Sequence, residues 1–261
     1  MPVIQGLGWI FDTQSERYAK MRPGYPKALY DTGFAYANPG AERAALELGI
    51  GGGQATRPVL EAGYSVLAVE PGVNFCRLCQ EKYGNYEGFS TLNGKFEETE
   101  IEKERFDLVF SASAFHWVPE EIGYKKVYDT LKKGGTFARF ANHPYKDKSR
   151  PGMHEALQAV YAVYRPGALA SPEYTEEMAK SRAQIAEKYG FVDVEHHLFN
   201  RTRDFTAAEY IQLLGTYSDH MAIEENTRKK FFADIEAAIN RLGGVITIFD
   251  TIDLQLARKP K

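Results

Sequence analysis

Short apolar runs alternate with helix-period stretches from residue 44 to 141, a rhythm that predicts βαβ units and a parallel sheet covered by helices on both faces. Ala44 to Leu48 reads as the first strand, Gln54 to Ala62 as a helix stopped by Gly63, and Tyr64 to Val69 as the second strand. Val73 to Tyr83 reads as a helix closed by Gly84, Phe89 to Leu92 as the third strand and Phe106 to Ser111 as the fourth. Glu120 to Leu131 is expected as a helix, Asp129 to Gly135 as its polar, glycine-rich exit, and Thr136 to Ala141 as the fifth strand.

Outside this stretch the pattern is less regular. Thr13-x-x-Glu16 has the form of a capping box for a short helix carrying Tyr18, broken at Arg22-Pro23. Residues 151 to 188 are rich in Ala, Glu and Tyr without strand character, and Ser171-Pro172-Glu173 reads as a helix start. Val192 to Phe199 is expected as the sixth strand, and Thr206-x-x-Glu209 as a capping box opening a helix through Tyr217. Glu224 to Lys230 reads as a solvated helix start. From there Phe231, Phe232, Ile235, Ala238, Ile239 and Leu242 keep a helical period until Gly243-Gly244. Val245 to Leu256 is the seventh strand, so helical pieces interrupt the sheet between strands five and six and again between six and seven.

The chain's 261 residues suffice for one α/β domain with an elaboration. A net charge of −3 argues against general binding to nucleic acid or anionic lipid. Met1-Pro2-Val3-Ile4-Gln5 lacks the basic start of a signal peptide and no run of about 18 apolar residues occurs, so a cytoplasmic location is expected. Cys76 and Cys79 have no second Cys or His pair at metal spacing; they read as reduced thiols, with no metal site expected.

The chemistry concentrates at Ala45-Leu46-Glu47-Leu48-Gly49-Ile50-Gly51-Gly52-Gly53, a strand that ends in an acid and glycines at alternate positions. Glycines at a strand-to-helix turn permit positive φ and close approach of backbone N–H groups to a ligand, which the following helix N-terminus also favours. Glu70, closing the second strand, is suited to accept hydrogen bonds from the hydroxyls of a ribose. Gln54 stands where a GxGxxG dinucleotide loop needs its third glycine, which speaks against a nicotinamide-dependent oxidoreductase. Glu47 instead suits a ligand with a cationic head. The bland alternative is a tight turn flanked by surface acids.

Glu47-x-Gly49-x-Gly51-x-Gly53 resembles the acid-x-G-x-G-x-G signature of class I S-adenosylmethionine-dependent methyltransferases. Gly94-Lys95-Phe96-Glu97, Phe106-Asp107-Leu108-Val109-Phe110-Ser111, Ala114-Phe115-His116-Trp117-Val118 and Leu131-Lys132-Lys133-Gly134-Gly135 follow in that family's order, over roughly residues 10 to 142. Tyr18-x-x-x-Arg22-Pro23-Gly24-Tyr25-Pro26 and the tail from Phe205 resemble a small-molecule branch related to trans-aconitate and quinone-pathway methyltransferases.

The resemblance implies an α/β, Rossmann-like, seven-stranded and mostly parallel sheet with helical lid insertions, in one domain spanning 1–261. Residues 1–40 would cap it, 41–142 bind the cofactor, 143–190 and 201–244 form lids, and 245–261 complete the sheet. S-adenosylmethionine is the implied cofactor and a small molecule the implied acceptor, with S-adenosylhomocysteine released; oligomeric state stays open. A non-catalytic protein that retains the pocket is the rival reading.

The cofactor set implied is Tyr18, Arg22, Glu47, Gly49, Gly51, Gly53, Glu70, Pro71, Gly94, Phe96, Glu97, Ser113 and His116. Tyr18 and Arg22 would close over the methionine carboxylate, or Arg22 would merely anchor a turn. Phe96 would stack on adenine or pack in the core, and Lys95 stands where many relatives carry Asp. His116 is the candidate catalytic base, alternatively a cofactor contact, an orienting group or a packed side chain. Trp117, His143, Tyr217 and His220 are the candidate substrate contacts, and His196-His197 read as a surface pair.

Overall fold

The structure is a computed structural model that describes Asp12 and residues 15–37, 43–167 and 172–261. Two helices, α1 (Ser15–Met21) and α2 (Lys27–Ala37), precede the sheet. The core then alternates β1 (Ala44–Leu48), α3 (Thr56–Glu61), β2 (Ser65–Glu70), α4 (Val73–Tyr83), β3 (Phe89–Asn93), β4 (Phe106–Ala112), α5 (Glu120–Thr130) and β5 (Leu131–Tyr145). The second half adds α6 (Met153–Tyr164), α7 (Glu176–Ala183), β6 (Val192–Thr206), α8 (Ala207–Leu214), α9 (Ser218–Met221), α10 (Glu225–Arg241) and β7 (Val245–Arg258).

The seven strands lie in the order β3-β2-β1-β4-β5-β7-β6. β7 runs antiparallel to both β5 and β6, and the other pairings are parallel. The chain order therefore reverses between β1 and β4, the switch point at which open α/β sheets hold ligands beyond their carboxyl ends.

Alternation along the strands divides the core. Ala45, Val66, Ala68, Phe110 and Phe140 pack with Leu29, Tyr30 and Val59 on one face. Leu46, Leu48, Val109 and Phe137 pack with Tyr124, Val127 and Phe191 on the other. A third cluster, Met153, Leu214, Phe231, Ile235, Ile246 and Ile248, joins the lid helices to the far end of β7.

Several boundaries differ from the pattern. β5 takes in Leu131 to Gly135, expected as a helix exit, and runs on to Tyr145, which pairs with Phe249; β6 reaches Thr206, opposite Val245. The ends of both strands thus extend into the stretches 143–190 and 201–244. The helix expected from Pro172 starts at Glu176, where Thr175 caps it by accepting from the Met178 N–H. The helix from the Thr206–Glu209 capping box ends at Leu214 and resumes at Ser218. Lys27–Ala37 is helical without having been expected so. Thr13 and Ser171 lie outside the described residues.

Candidate active site

The glycine turn after β1 is shaped by backbone that only glycine adopts cheaply. Gly49, Gly51 and Gly53 have φ of 74°, 51° and 73°. A Cβ on Gly49 would lie 2.5 Å from the Ala114 Cβ, and one on Gly53 would lie 2.6 Å from the Tyr83 ring. A Cβ on Gly51 meets only the Tyr18 ring, at 3.6 Å, so that glycine faces the open side of the turn.

Two carboxylates flank the turn. Glu70 Oε2 accepts from the Gly51 N–H at 3.0 Å and Oε1 from the Gly72 N–H at 2.9 Å. Burial raises its pKa in spite of those two donors. Glu47 is buried: its Oε2 accepts from the Thr56 hydroxyl at 2.8 Å while Oε1 has no partner among the described residues. Desolvation pushes the Glu47 pKa up to about 8.

Asp12 closes one side by accepting from the Asn74 and Phe75 N–H groups at the start of α4. From α1, the Tyr18 ring meets Phe75 edge-on at 5.3 Å. The Arg22 guanidinium sits 5.0 Å from the Tyr18 ring and 4.2 Å from the Tyr217 ring, and donates to the Thr216 carbonyl at 2.9 Å; its Nε is buried without a partner among the described residues. Tyr18, Arg22 and Tyr217 thus meet over the turn, joining the N-terminal segment to the lid.

Beyond β2, Pro71 is exposed, and the Gly94 N–H donates to the Glu70 carbonyl at 3.0 Å. Glu97 is half-buried. The Phe96 ring is buried in the second core cluster, with Lys126 donating to its carbonyl at 2.5 Å.

Past β4, Ser113 has a φ of 55° and its hydroxyl shares a 2.9 Å hydrogen bond with Tyr25. His116 follows on a single 3₁₀ turn, Phe115–Trp117. His116 is exposed at the mouth of the cleft, and desolvation, with Arg182 and Arg139 adding, lowers its pKa. The shift favours the neutral imidazole at pH 7, the form in which a general base acts.

The other candidate substrate residues are engaged elsewhere. His143 Nε2 bonds Asp253 at 2.7 Å and its ring stacks on Tyr174 at 3.6 Å. His220 is buried in the lid, between Asp219 at 2.8 Å and the Tyr161 hydroxyl at 2.7 Å. His196 and His197 pair with Glu176 and Glu195 on the surface of β6.

Sequence reasoning missed Arg139, Arg182 and Asp253, which line one cleft with Ser113, Ala114 and His116. A charge inside the apolar run Phe137-Ala138-Arg139-Phe140 was the available signal. Among the described residues no helix is long and apolar enough to cross a membrane, and no cluster of His, Cys, Asp and Glu is arranged to hold a metal.

Residues 46–139 match the family model of a methyltransferase domain. The chain is 24% identical over 237 residues to an uncharacterized methyltransferase of Schizosaccharomyces pombe, covering 90% of this chain and 89% of that relative. A candidate type II methyltransferase from Anaeromyxobacter dehalogenans shares the fold with a TM-score of 0.61 and 20% identity, over 92% of this chain and 98% of that one. Phosphoethanolamine N-methyltransferase 2 of Haemonchus contortus, solved with phosphomonomethylethanolamine and S-adenosylhomocysteine, aligns with a TM-score of 0.54 and 17% identity; the match covers 96% of this chain and spans 58% of that enzyme.

Proposed function

We propose, from the premise that the chain belongs to the class I S-adenosylmethionine-dependent methyltransferases, that it methylates a small-molecule acceptor at the carboxyl end of β1 and β4. The observation that carries the reading is the buried, partnerless Oε1 of Glu47 beside the glycine turn. A desolvated carboxyl with a free acceptor fits a ligand ammonium. The left-handed Gly51, open above the turn, and Glu70 at the end of β2 suit the adenosine half of the same molecule.

When bound, S-adenosylmethionine supplies an electrophilic methyl carbon, and its transfer leaves S-adenosylhomocysteine. The chain's part is to bind, align and exclude water. In this reading Glu47 faces the ammonium, Glu70 the ribose hydroxyls, and Tyr18 and Arg22 close over the methionine carboxylate. Pro71, Gly94 and Glu97 border the adenine, while Phe96 supports that edge from the core. Ser113 and His116 sit where methyl donor and acceptor meet, His116 as a neutral hydrogen-bonding group. Trp117 and Tyr217 face the acceptor side; His143 and His220 act through the residues they hold.

The net charge of −3 supports a small molecule over nucleic acid as the acceptor, and with the two buried free thiols it supports a cytoplasmic location. Thermal shift with S-adenosylhomocysteine against NAD tests the reading. Stabilisation by the former alone is expected; stabilisation by NAD alone, or by neither, overturns it.

A further inference from the structure

The cleft past β4 sets two arginines against one carboxylate, that of Asp253. Arg139 projects from β5 and Arg182 from the last turn of α7, and both are half-buried. The Arg139 guanidinium donates to the Tyr124 hydroxyl at 2.8 Å. Among the described residues neither arginine has a carboxylate within the 4.0 Å of an ion pair.

The one acid lining the cleft, Asp253, is already committed. Its Oδ1 takes His143 at 2.7 Å, and its Oδ2 takes Tyr174 at 3.1 Å and also Gln255. Two guanidinium forks with most of their N–H donors unspent thus line a small cavity of about 10 Å³ beside one occupied carboxylate, room for a single bound oxygen unless the walls part. Such planar forks match the two oxygens of a carboxylate or phosphate.

The cleft also adjoins the cofactor turn. Ala114, on its wall, is the residue a Cβ on Gly49 would strike, and the Ser111 hydroxyl donates to the Leu48 carbonyl at 2.9 Å. Resting on the methyltransferase reading above, we infer that Arg139 and Arg182 form the acceptor's anchoring site, and that the acceptor carries an oxyanion, a carboxylate or phosphate, seated between them.

The test takes protein saturated with S-adenosylhomocysteine and screens matched carboxylic acid and carboxamide pairs, with phosphomonoesters and their neutral alcohols as a second arm, by ligand-observed NMR. Acids or phosphomonoesters should bind about tenfold more tightly than their neutral partners, the scale of one charge-assisted contact. Arg182→Gln, at a half-exposed helix end, and Arg139→Met should each erase that preference while leaving S-adenosylhomocysteine affinity unchanged. The arm that shows the preference names the oxyanion. No preference in either arm, including no binding at all, or a preference that both variants retain, overturns the anchor while leaving methyl transfer standing. Failure of S-adenosylhomocysteine itself to bind overturns both.

Discussion

The Thr56 hydroxyl donates to Glu47 Oε2 at 2.8 Å and leaves Oε1 buried with no donor among the described residues. Burial holds the folded carboxyl's pKa near 8, against 4.5 for an ordinary Glu. The folded state therefore binds more protons than the unfolded one between those values. Glu47 accordingly subtracts stability as pH rises from 4.5 to about 8 and subtracts no more above that. A cation beside Oε1 prefers the ionised form, so binding S-adenosylhomocysteine should expel the proton. Its affinity should climb by up to about tenfold per unit between pH 6 and 8. Calorimetry in buffers of different ionisation enthalpy measures the released proton, and Glu47→Gln should abolish both the release and the pH slope.

Glu70 holds two backbone N–H groups, those of Gly51 and Gly72, with its two oxygens. Glu70→Ala removes both acceptors and the charge offered to a ribose. S-adenosylhomocysteine binding should weaken by about 1–3 kcal/mol. The thermal midpoint should also fall, because two donors near the turn lose their partner. Unchanged affinity in calorimetry would remove Glu70 from the site.

The glycines of the turn should separate by mechanism. Gly53→Ala drives a Cβ to 2.6 Å from the Tyr83 ring, whose hydroxyl is fixed to the Gly53 carbonyl at 2.7 Å, so urea unfolding should show a large loss of stability. Gly51→Ala has room and pays only the left-handed backbone, about 1–2 kcal/mol. Gly51→Val, by filling the open side, should abolish binding of S-adenosylhomocysteine in a protein that still folds.

The first strand and the helix from Val73 to Tyr83 have the limits their sequence suggests, because alternation and a closing Gly84 act locally. The extended ends of β5 and β6 were not legible. Asn142-His143-Pro144-Tyr145 lacks strand composition and becomes strand by pairing with residues 249–252, more than a hundred positions away. The helix expected from Ser171-Pro172-Glu173 begins instead at Glu176, where the Thr175 hydroxyl finds the Met178 N–H. The tight turn itself could be read from the glycine spacing, since Gly49, Gly51 and Gly53 all take positive φ. Arg139, Arg182 and Asp253 could not, since β5, α7 and β7 meet only in the folded sheet.

Asp250 is buried in β7 against two arginines. It pairs with Arg201 at 3.0 Å and with Arg203, and Asn142 donates to it at 3.0 Å. Burial alone would raise its pKa; Arg203, Asn142 and Arg201 together bring it below the usual carboxylate value. Its stabilising contribution is thus present above the unfolded value of 3.8 and lost as pH falls through the folded one. Asp250→Ala strands two half-buried guanidinium groups and should cost about 3–5 kcal/mol in urea unfolding at neutral pH. The loss should shrink at low pH, where the wild-type carboxyl is itself protonated.

Arg22 links the N-terminal segment to the helical insertion between β6 and β7, alongside Arg17, which donates to the Gln212 carbonyl at 3.3 Å. Its guanidinium lies between the Tyr18 and Tyr217 rings and donates to the Thr216 carbonyl, so one side chain ties α1 to the turn before α9. Cation–π contacts of this kind are worth about 0.5–2 kcal/mol each, depending on desolvation. Their loss in Arg22→Ala should loosen the lid more than it unfolds the sheet, whose cores lie elsewhere. Hydrogen exchange should rise in 207–221 while β1, β2 and β4 stay protected. Arg22→Lys keeps the charge but not the flat face or the fork, and should fail to restore either protection or S-adenosylhomocysteine affinity. Full rescue by Lys would reduce Arg22 to a simple positive charge; an unchanged lid in Arg22→Ala would show that the two tyrosines close over the turn without it.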